Sequence, residues 1–560
     1  MIETESGTVR ADSSHPVRGF RFRKKPERGF KMKRVLAFLL LACLAVGLLS
    51  GCGESSAPAA TPAPSAAPAA PAEEAAPAEE AAPAEAEAAP AEATAETWKM
   101  VMEIINYGFN DPDLQMVQDK VNEITVPAIG VEVEFLPVPI MNMGSKLGMM
   151  VSGNEKIDLT VAGLLTTPSK LVSDGLLQPI TEYVNKSEAL TKLAEGILDA
   201  CYINGEIYAY PGSLANGSQI TFFYDKDLAE EYGIEVPERL DSAEKWDALL
   251  KQVKESGMEQ YGISLGDGCA CEYEWTAMDT LGDDAYASWG VVLDKDADAN
   301  KVVNYFATDE YRAKCEMHRD WWLNGYAVPD SSSNGYTTTD SMTQGMIFGF
   351  VSQGGVSMND AYFSKTCNRN IASVPMSDIT TKSGNVLNFC WGVPTSCEHP
   401  EKVVEFLELL YTNTELANLM NNGVEGVHYV TTEGSMIIGY PEGVDAMSCG
   451  YGSFIGSYGD VSKIYQRDPM TDEFVESIPN YMAPIAPVSK YLGYNFDQTK
   501  VATELAAVNA AIGQYAPALE CGIVDPAEIL PEFLNALQTA GVDKVIAENQ
   551  AQLDAWLASK

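Results

Sequence analysis

One stretch of the sequence has the residue types and spacing of a hydrolytic site. Gly262–Gly266 (GISLG) matches the G-x-S-x-G pattern of a nucleophile elbow, and His399 and His428 follow it in the order that such a hydrolase requires. A nucleophile elbow leads directly into a helix, whereas this sequence continues through Asp267 and Gly268 with no helical pattern. The stretch therefore predicts a strand that ends in a loop, and no reactive serine.

Acidic residues are abundant, and they could serve either metal binding or glycoside cleavage. Asp294, Asp296, Asp298 and Asn300 have the spacing that opens a calcium loop, but the glycine and the terminal glutamate of such a loop are absent. This run is interpreted as a solvated hairpin tip. A carboxylate pair could cleave a glycosidic bond, but no local pattern singles out a pair. A secreted glycoside-acting enzyme therefore stays open as an alternative, with no catalytic residue assigned.

The elements that could position a binding site begin near residue 100. Three strand-like runs are separated by stretches with helical spacing: Met100–Tyr107, Val131–Phe135 and Ile157–Ala162. This alternation predicts parallel βαβ units, in which ligand-binding loops follow the carboxyl ends of the strands. It directs attention to Tyr107, to Asn110 and to the turn at Gly163. Between the first two strands, Asp113 is predicted to cap a helix.

The segment before residue 52 has three parts. A basic start at Lys31–Arg34 precedes an apolar run at Val35–Leu49 and a short Ser-Gly-Cys sequence ending at Cys52. The segment resembles a bacterial lipoprotein signal, which implies cleavage before Cys52, acylation (palmitate) of its thiol and attachment to the outer face of the cell membrane. Residues 1–51 would be the signal region, with Met32 as a possible true start. An ordinary signal or an anchor helix is the alternative, although a bilayer span needs about 20 apolar residues.

Composition sets further bounds. The chain has 560 residues, with 37 Lys and Arg against 79 Asp and Glu. Ten of these basic and four of these acidic residues precede Cys52, so the net charge beyond that point is −48. Such a charge disfavours binding to nucleic acid. Residues 52–97 comprise the lipidated cysteine and an Ala/Pro/Glu-rich linker, because almost no bulky apolar side chain is available there to form a core.

The remaining cysteines and histidines do not form a recognisable framework. After the signal region and Cys52, nine scattered cysteines remain, an odd number that predicts free thiols. The three histidines beyond Cys52 are His318, His399 and His428, and no two have zinc-ligand spacing. No metal and no cofactor is predicted.

Several short segments carry a resemblance to a known family. Those in the first half are Ser152–Gly153, Lys156–Asp158, Asp174–Ile180, Ile203–Pro211, Phe223–Leu228 and Pro237–Trp246. In order and spacing they resemble segments of the family 1 extracellular solute-binding proteins of ABC importers. Those in the second half are Val403–Tyr411, Gly426–Tyr429, Asn509–Leu519, Ile523–Pro526 and Ala540–Ile546. These resemble the DUF3502 type, LipO-like subgroup of lipoproteins.

The resemblance implies a periplasmic-binding-protein-like type II fold, with two α/β lobes joined by a hinge and an added C-terminal region. It divides the folded chain into the first part of lobe 1 (98–215), lobe 2 (216–388), and the lobe 1 return with a DUF3502-like region (389–560). Hinge candidates are Tyr210–Gln219 and Phe389–Val393. The implied function is capture of a small solute, a carbohydrate or oligosaccharide, for delivery to ABC permease subunits, without a catalytic step.

The resemblance also nominates residues for contact with a sugar, which needs aromatic faces for its C–H surface and planar amides for its hydroxyls. Trp275 follows the strand-like Tyr261–Leu265, Trp391 lies in the returning segment, and Gln353 follows a family-like strand. With Tyr107 and Asn110 they form the predicted ligand-binding set. A surface sensor or adhesin, and a peptide ligand, stay open as alternatives.

Overall fold

The computed structural model describes residues 97–106, 111–164, 166–265, 278–281, 288–445, 448–452, 458–467, 470–483 and 485–560. Three predicted ligand-binding residues, Tyr107, Asn110 and Trp275, lie outside the described residues. So does Cys52, the predicted lipidation site.

The strands are mostly short. In chain order they are β1 (Trp98–Asn106), β2 (Val131–Pro139), β3 (Thr160–Gly163), β4 (Tyr202–Ile203), β5 (Glu206–Ile207), β6 (Ala209–Pro211), β7 (Gln219–Asp225), β8 (Tyr261–Ile263), β9 (Met278–Asp279), β10 (Val292–Leu293), β11 (Ile347–Gly354), β12 (Ile371–Pro375), β13 (Phe389–Gly392), β14 (Ile437–Ile438) and β15 (Gln466–Arg467). The three strand-like runs of the sequence correspond to β1, β2 and β3.

The helices in the described part of the chain are α1 (Leu114–Ile129), α2 (Met143–Ser152), α3 (Pro168–Ser173), α4 (Thr181–Lys186), α5 (Glu188–Leu193), α6 (Lys226–Tyr232), α7 (Ala243–Glu255), α8 (Asp309–Leu323), α9 (Thr338–Thr343), α10 (Asp360–Cys367), α11 (Ser383–Leu387), α12 (Pro400–Thr412), α13 (Thr414–Asn422), α14 (Asp472–Ser477), α15 (Ala502–Glu520), α16 (Pro526–Ala540) and α17 (Val542–Ser559). None of these described helices is long and apolar enough to cross a membrane.

Lobe 1 is built on two small sheets that share one apolar core. β1 and β2 are parallel and are connected through α1, which confirms the predicted βαβ unit. β13 lies between β3 and β6 and is antiparallel to both. A parallel bridge between Met102 and Leu159 connects the two groups of strands. Helices α1, α12 and α13 cover this core with residues such as Val117 and Phe406, which are fully buried.

Lobe 2 is built on a four-stranded sheet in the order β12-β7-β11-β8. The consecutive residues Phe222 and Phe223 on β7 show why this sheet is covered on both faces, since neighbouring strand residues point to opposite sides. Phe222 packs with Trp246 and Phe348 in one core, whereas Phe223 packs with Phe363 in the other. The fold is thus two α/β lobes, as the sequence predicted.

Three segments connect the lobes. Residues 212–218 lead from β6 to β7, and residues 376–388 lead from β12 back to β13. These two segments pair at Ser218 and Thr380, and Thr381 pairs in turn with Val488 of a third segment. The expected hinge at Phe389–Val393 is wrong in position, because Phe389–Gly392 forms β13, which bonds to a strand on each side within lobe 1. The crossing backbone lies just before it.

The C-terminal helices α15, α16 and α17 pack on lobe 2. Their apolar residues, including Leu505 and Phe533, form one core with Trp289, Tyr305 and Phe306 from the region between β9 and α8. The region that follows lobe 1 in sequence is therefore joined to lobe 2 in space.

A buried polar cluster connects α8 with the end of α15. Lys314 Nζ lies 3.4 Å from Glu520 Oε1, and both side chains are almost fully buried. The Nδ1–H of His318 donates to the Glu520 carbonyl at 2.7 Å. Burial, with a smaller effect from the Lys314 charge, lowers the pKa of His318 to about 3. This imidazole is therefore neutral in the folded protein at physiological pH.

The cysteines and the acidic run can now be placed. The seven cysteines in the described part of the chain are all free thiols, whereas the odd number of cysteines in the sequence required only that at least one be free. The run from Asp294 to Asn300 lies between Val291 and Val303, which form an antiparallel bridge, so it is a hairpin tip. Asp294 and Asp298 each lie 3.7 Å from a lysine Nζ. Among the described residues, no group of His, Cys, Asp or Glu side chains is arranged to hold a metal ion.

Candidate functional site

The carboxyl ends of three strands meet at one edge of lobe 1. β1 and β2 end in register at Asn106 and Pro139, and β3 ends at Gly163. β13 starts at the same edge, because Phe389 pairs with Gly163. Sequence reasoning pointed to this edge through the strand ends, and the structure brings these ends together.

The turn after β3 is shaped by close backbone contacts. Gly163 has φ +110°, and the Leu164 amide donates to the Asn388 carbonyl at 2.6 Å. A Cβ on Gly163 would lie 2.4 Å from that same oxygen. The turn borders a small concavity lined mostly by apolar residues, with Ile140, Met143, Leu147, Val161 and Leu171 among them.

Gln353 lies at the carboxyl end of β11 and joins a polar cluster at the crossing backbone. Its Nε2 donates to Ser218 Oγ at 2.8 Å, and Asn385 Nδ2 donates to the same oxygen at 3.1 Å. We call Ser218, Gln353 and Asn385 the crossing cluster. Ser218 and Asn385 come from the two segments that connect the lobes. Sequence reasoning missed both, because neither belongs to a motif.

The chemistry of the crossing cluster suits a hydroxylated solute. Since the Ser218 oxygen accepts two N–H groups, its own O–H remains a donor for another group. Within the described part of the chain, no hydrogen bond to Gln353 Oε1 is present, so this carbonyl can accept one. All three side chains are partly exposed. A donor and an acceptor side by side can bind two neighbouring hydroxyls.

The carboxyl end of β8 lies at the same edge of lobe 2 as Gln353, because β8 and β11 are parallel. Trp275 follows this end in sequence but lies outside the described residues. Ser264, the serine of the G-x-S-x-G match, is 1% exposed. The ring of His399 bonds to Glu401 and that of His428 to Asp113, and neither bonds to Ser264. These three described residues do not form a catalytic triad.

Trp391 is a core residue in this structure, contrary to the prediction of ligand contact. Its side chain is 0% exposed and packs between Phe389 and Tyr458, with ring centroids 5.3 and 5.6 Å away. The face of β13 from which Trp391 projects is thus covered by packed aromatic side chains. A ring without exposed surface cannot stack on a sugar, and we leave Trp391 out of the proposed site.

A buried histidine anchors the chain that leaves the β1 edge. The Val424 amide donates to His428 Nδ1 at 2.8 Å, so the ring proton is on Nε2, which lies 3.3 Å from Asp113 Oδ2. Asp113 therefore contacts this ring. The sequence predicted that its side chain would cap α1, but no such hydrogen bond is made. Nearby, burial raises the pKa of Asp111, which accepts from the Gly452 amide at 3.2 Å.

Glu103 is a buried acid three residues before the end of β1. It is 0% exposed, and its Oε2 accepts from the Thr160 hydroxyl and from the Val161 amide. Burial raises the pKa of Glu103 to about 6, and these two hydrogen bonds offset only part of the effect. The carboxylate is thus ionised at neutral pH at a cost to stability.

Replacing Glu103 by glutamine should remove a pH dependence of stability. Because folding raises the pKa of this acid from 4.5 to about 6, the folded state binds its proton more tightly, and wild-type stability rises as pH falls through this window. A shift of this size corresponds to about 2 kcal/mol. We expect Glu103→Gln to be more stable than wild type at pH 8 and equal to it near pH 4.5, measured by urea unfolding. The exposed Glu132→Gln is the control, and equal profiles for both variants would contradict the assignment.

Comparisons with known proteins can now be set beside this geometry. Residues 130–416 match the family described as bacterial extracellular solute-binding protein, and residues 490–558 match a domain of unknown function, DUF3502. The chain is 25% identical over 475 residues to a carbohydrate ABC transporter substrate-binding protein of Streptococcus pneumoniae serotype 4 (strain ATCC BAA-334 / TIGR4). The match covers 82% of this chain and 92% of that relative.

Solved structures show the same fold. The N-glycan transport solute binding protein of Streptococcus pneumoniae superimposes with a TM-score of 0.71 at 23% identity, covering 82% of this chain and 99% of that one. The structure of that protein in complex with Man1GlcNAc gives a TM-score of 0.62 at 22% identity, with the same coverage of both chains. These relatives are binding proteins and not enzymes.

Proposed function

The chain belongs to the family of bacterial extracellular solute-binding proteins, and from that premise we propose that it captures an oligosaccharide between its two lobes and delivers it to an ABC permease. The observation that carries the proposal is the crossing cluster, which places a hydroxyl and an amide between the lobes. The carbohydrate-binding relatives support the same class of solute.

Binding of this kind depends on contact with both lobes. A solute that touches only one lobe binds equally well whether the lobes are open or closed. It therefore cannot shift the population towards the closed arrangement. The lobe 1 edge supplies the apolar concavity beside Gly163, and the crossing cluster supplies hydrogen bonds. Tyr107, Asn110 and Trp275 belong to the proposal as further ligand contacts, since they follow strand ends at these two edges.

The family works outside the cytoplasm, and the proposal adds how this chain is held there. Acylation of Cys52 would tether it to the membrane, and residues 53–97 would act as a spacer with a reach of up to about 140 Å if extended. Permease subunits would then be reached by diffusion on the tether. Capture followed by release requires no catalytic residue.

A thermal-shift screen of the purified protein against mono- and oligosaccharides and short peptides tests this function. A ligand at about 100 times its dissociation constant adds about 2.7 kcal/mol to stability, so an oligosaccharide should raise the melting temperature. The sugar should be recovered unchanged. Recovery of cleavage products would favour a glycoside-acting enzyme, and a response to peptides alone would overturn the solute class.

Replacing Gln353 by alanine should weaken binding of the oligosaccharide found in this screen by about tenfold, the equivalent of one hydrogen bond of about 1.4 kcal/mol. The matched control is Gln252→Ala on α7, which removes a 2.6 Å hydrogen bond from the Glu235 amide on the outer surface of lobe 2. Titration calorimetry would measure both. If the two variants bind as wild type does, the crossing cluster is not part of the site.

A further inference from the structure

The region that matches a domain of unknown function touches both lobes. Residues 488–495, which we call the strap, overlap the start of this match at residue 490, and helices α15, α16 and α17 follow. The strap passes beside the two crossing segments, where the Ser489 amide donates to the Thr381 carbonyl at 2.9 Å. It is thus the third connection between the lobes.

The side chains of the strap pack into both lobes. Leu492 is buried in the core of lobe 1. Tyr491 and Tyr494 are buried in a separate cluster with Val292 and Val302 of lobe 2. Neighbouring residues of one short segment therefore belong to different cores, so a change in the angle between the lobes has to deform the strap.

Polar contacts fix the position of the strap on lobe 1. Asn495 Nδ2 donates to the Tyr202 carbonyl at 3.2 Å, and its Oδ1 accepts from the Ser169 hydroxyl at 3.2 Å. Ser169 lies in the first turn of α3, just after the turn that borders the concavity. At Gly493, φ is +86° and a Cβ would lie 2.4 Å from the Asp199 carbonyl oxygen. The strap and lobe 1 are in direct backbone contact there.

The same region also anchors lobe 2 near its edge of the cleft. Cys521 Sγ donates to the Leu265 carbonyl at 2.7 Å, where the chain leaves β8. Ser489 Oγ donates to the carboxylate of Asp279 on β9. The residues before and after the segment 266–277 are therefore both bonded to the C-terminal region.

We infer that the strap and the C-terminal helices form an interlobe brace that sets the angle between the two lobes and so prearranges the cleft for its solute. The helices are fixed to lobe 2 by their large apolar core, and the strap carries this attachment to lobe 1. The apparent affinity for the solute falls when only a fraction of the molecules has the lobe arrangement that binds it. A brace that narrows the range of lobe angles raises that fraction. This effect on affinity depends on the proposed function, whereas the effect on lobe angle does not.

The test compares Asn495→Ala with Gln552→Ala. The first removes both polar contacts between the strap side chain and lobe 1. The second breaks a 2.9 Å bond from the Asp497 amide and a 3.0 Å bond to its carbonyl, both inside the C-terminal region. Spin labels on non-natural amino acids at the exposed positions Lys120 in lobe 1 and Lys251 in lobe 2 report the interlobe distance by pulsed electron resonance.

Asn495→Ala should broaden the distance distribution without ligand and weaken oligosaccharide binding by about fivefold, the lower end of typical coupling between sites. Gln552→Ala should change neither quantity. Ser169→Ala, which removes one of the two contacts, should act in the same direction to a smaller extent and serves if Asn495→Ala does not fold. An unchanged distance distribution in Asn495→Ala and Ser169→Ala would overturn the brace, even if sugar binding is observed. A wild type that binds no sugar would overturn the proposed function and leave the distance result to decide on the brace.

Discussion

Replacing Gly163 by alanine is expected to destabilise lobe 1 by about 3 kcal/mol or more, because a strained backbone costs 1–3 kcal/mol and steric overlap adds a similar amount. The new Cβ would lie 2.4 Å from the Asn388 carbonyl oxygen and 2.5 Å from that of Leu387. Both are backbone atoms, and the Asn388 carbonyl also accepts from the Leu164 amide. Relief would therefore require the turn to move away from β13. Urea unfolding of the variant measures the loss.

Gly175→Ala is the matched control for this prediction. Gly175 is also in lobe 1 and also has positive φ, at +73°, but no atom lies within 4 Å of the position of its Cβ. Only the backbone strain of about 1–2 kcal/mol applies. A loss at Gly163 no larger than the loss at Gly175 would show that the close approach to Asn388 and Leu387 does not constrain the turn. Because this turn borders the concavity, we also expect Gly163→Ala to lose oligosaccharide binding.

Breaking the buried ion pair between α8 and α15 should have an effect of similar size. Lys314→Met leaves the carboxylate of Glu520 buried without its cation, a change that typically costs about 3–5 kcal/mol. It also removes the contact of Lys314 Nζ with the ring of Tyr311, whose centroid lies 4.5 Å away. We expect the midpoint of urea unfolding, followed by tryptophan fluorescence, to fall accordingly.

Two further variants isolate the cause. In Lys314→Met combined with Glu520→Leu, neither charge of this buried pair remains, and much of the lost stability should return. Lys295→Met breaks the exposed pair with Glu310, also on α8, and should change the midpoint little. If the double variant is no more stable than Lys314→Met, then lost packing, and not the loss of the Lys314 charge beside Glu520, explains the effect.

The tryptophans show how far sequence reasoning could go towards the binding site. Trp391 was correctly placed in the returning segment, but its exposure depended on what packs on its face of the sheet. The ring is enclosed because it packs against Phe389 and against Tyr458, which is 67 residues away in sequence. Gln353 lies at a crossing of the lobes, yet its partner Ser218 is 135 residues away in sequence, and Asn385, which donates to the same Ser218 oxygen, is 167 residues from Ser218. No local pattern carries such pairings.

By itself, the sequence determined the α/β class, the alternation of strands and helices in lobe 1, the edge where the strand ends meet and the presence of at least one free thiol. These depend on local apolar spacing, on composition and on the direction of parallel strands. Tertiary structure alone decided where the returning backbone crosses between the lobes, that the C-terminal helices pack on lobe 2, and that Gln353 and Asn385 converge on Ser218. Each of these depends on contacts between residues far apart in the chain, for which one-dimensional periodicity carries no information.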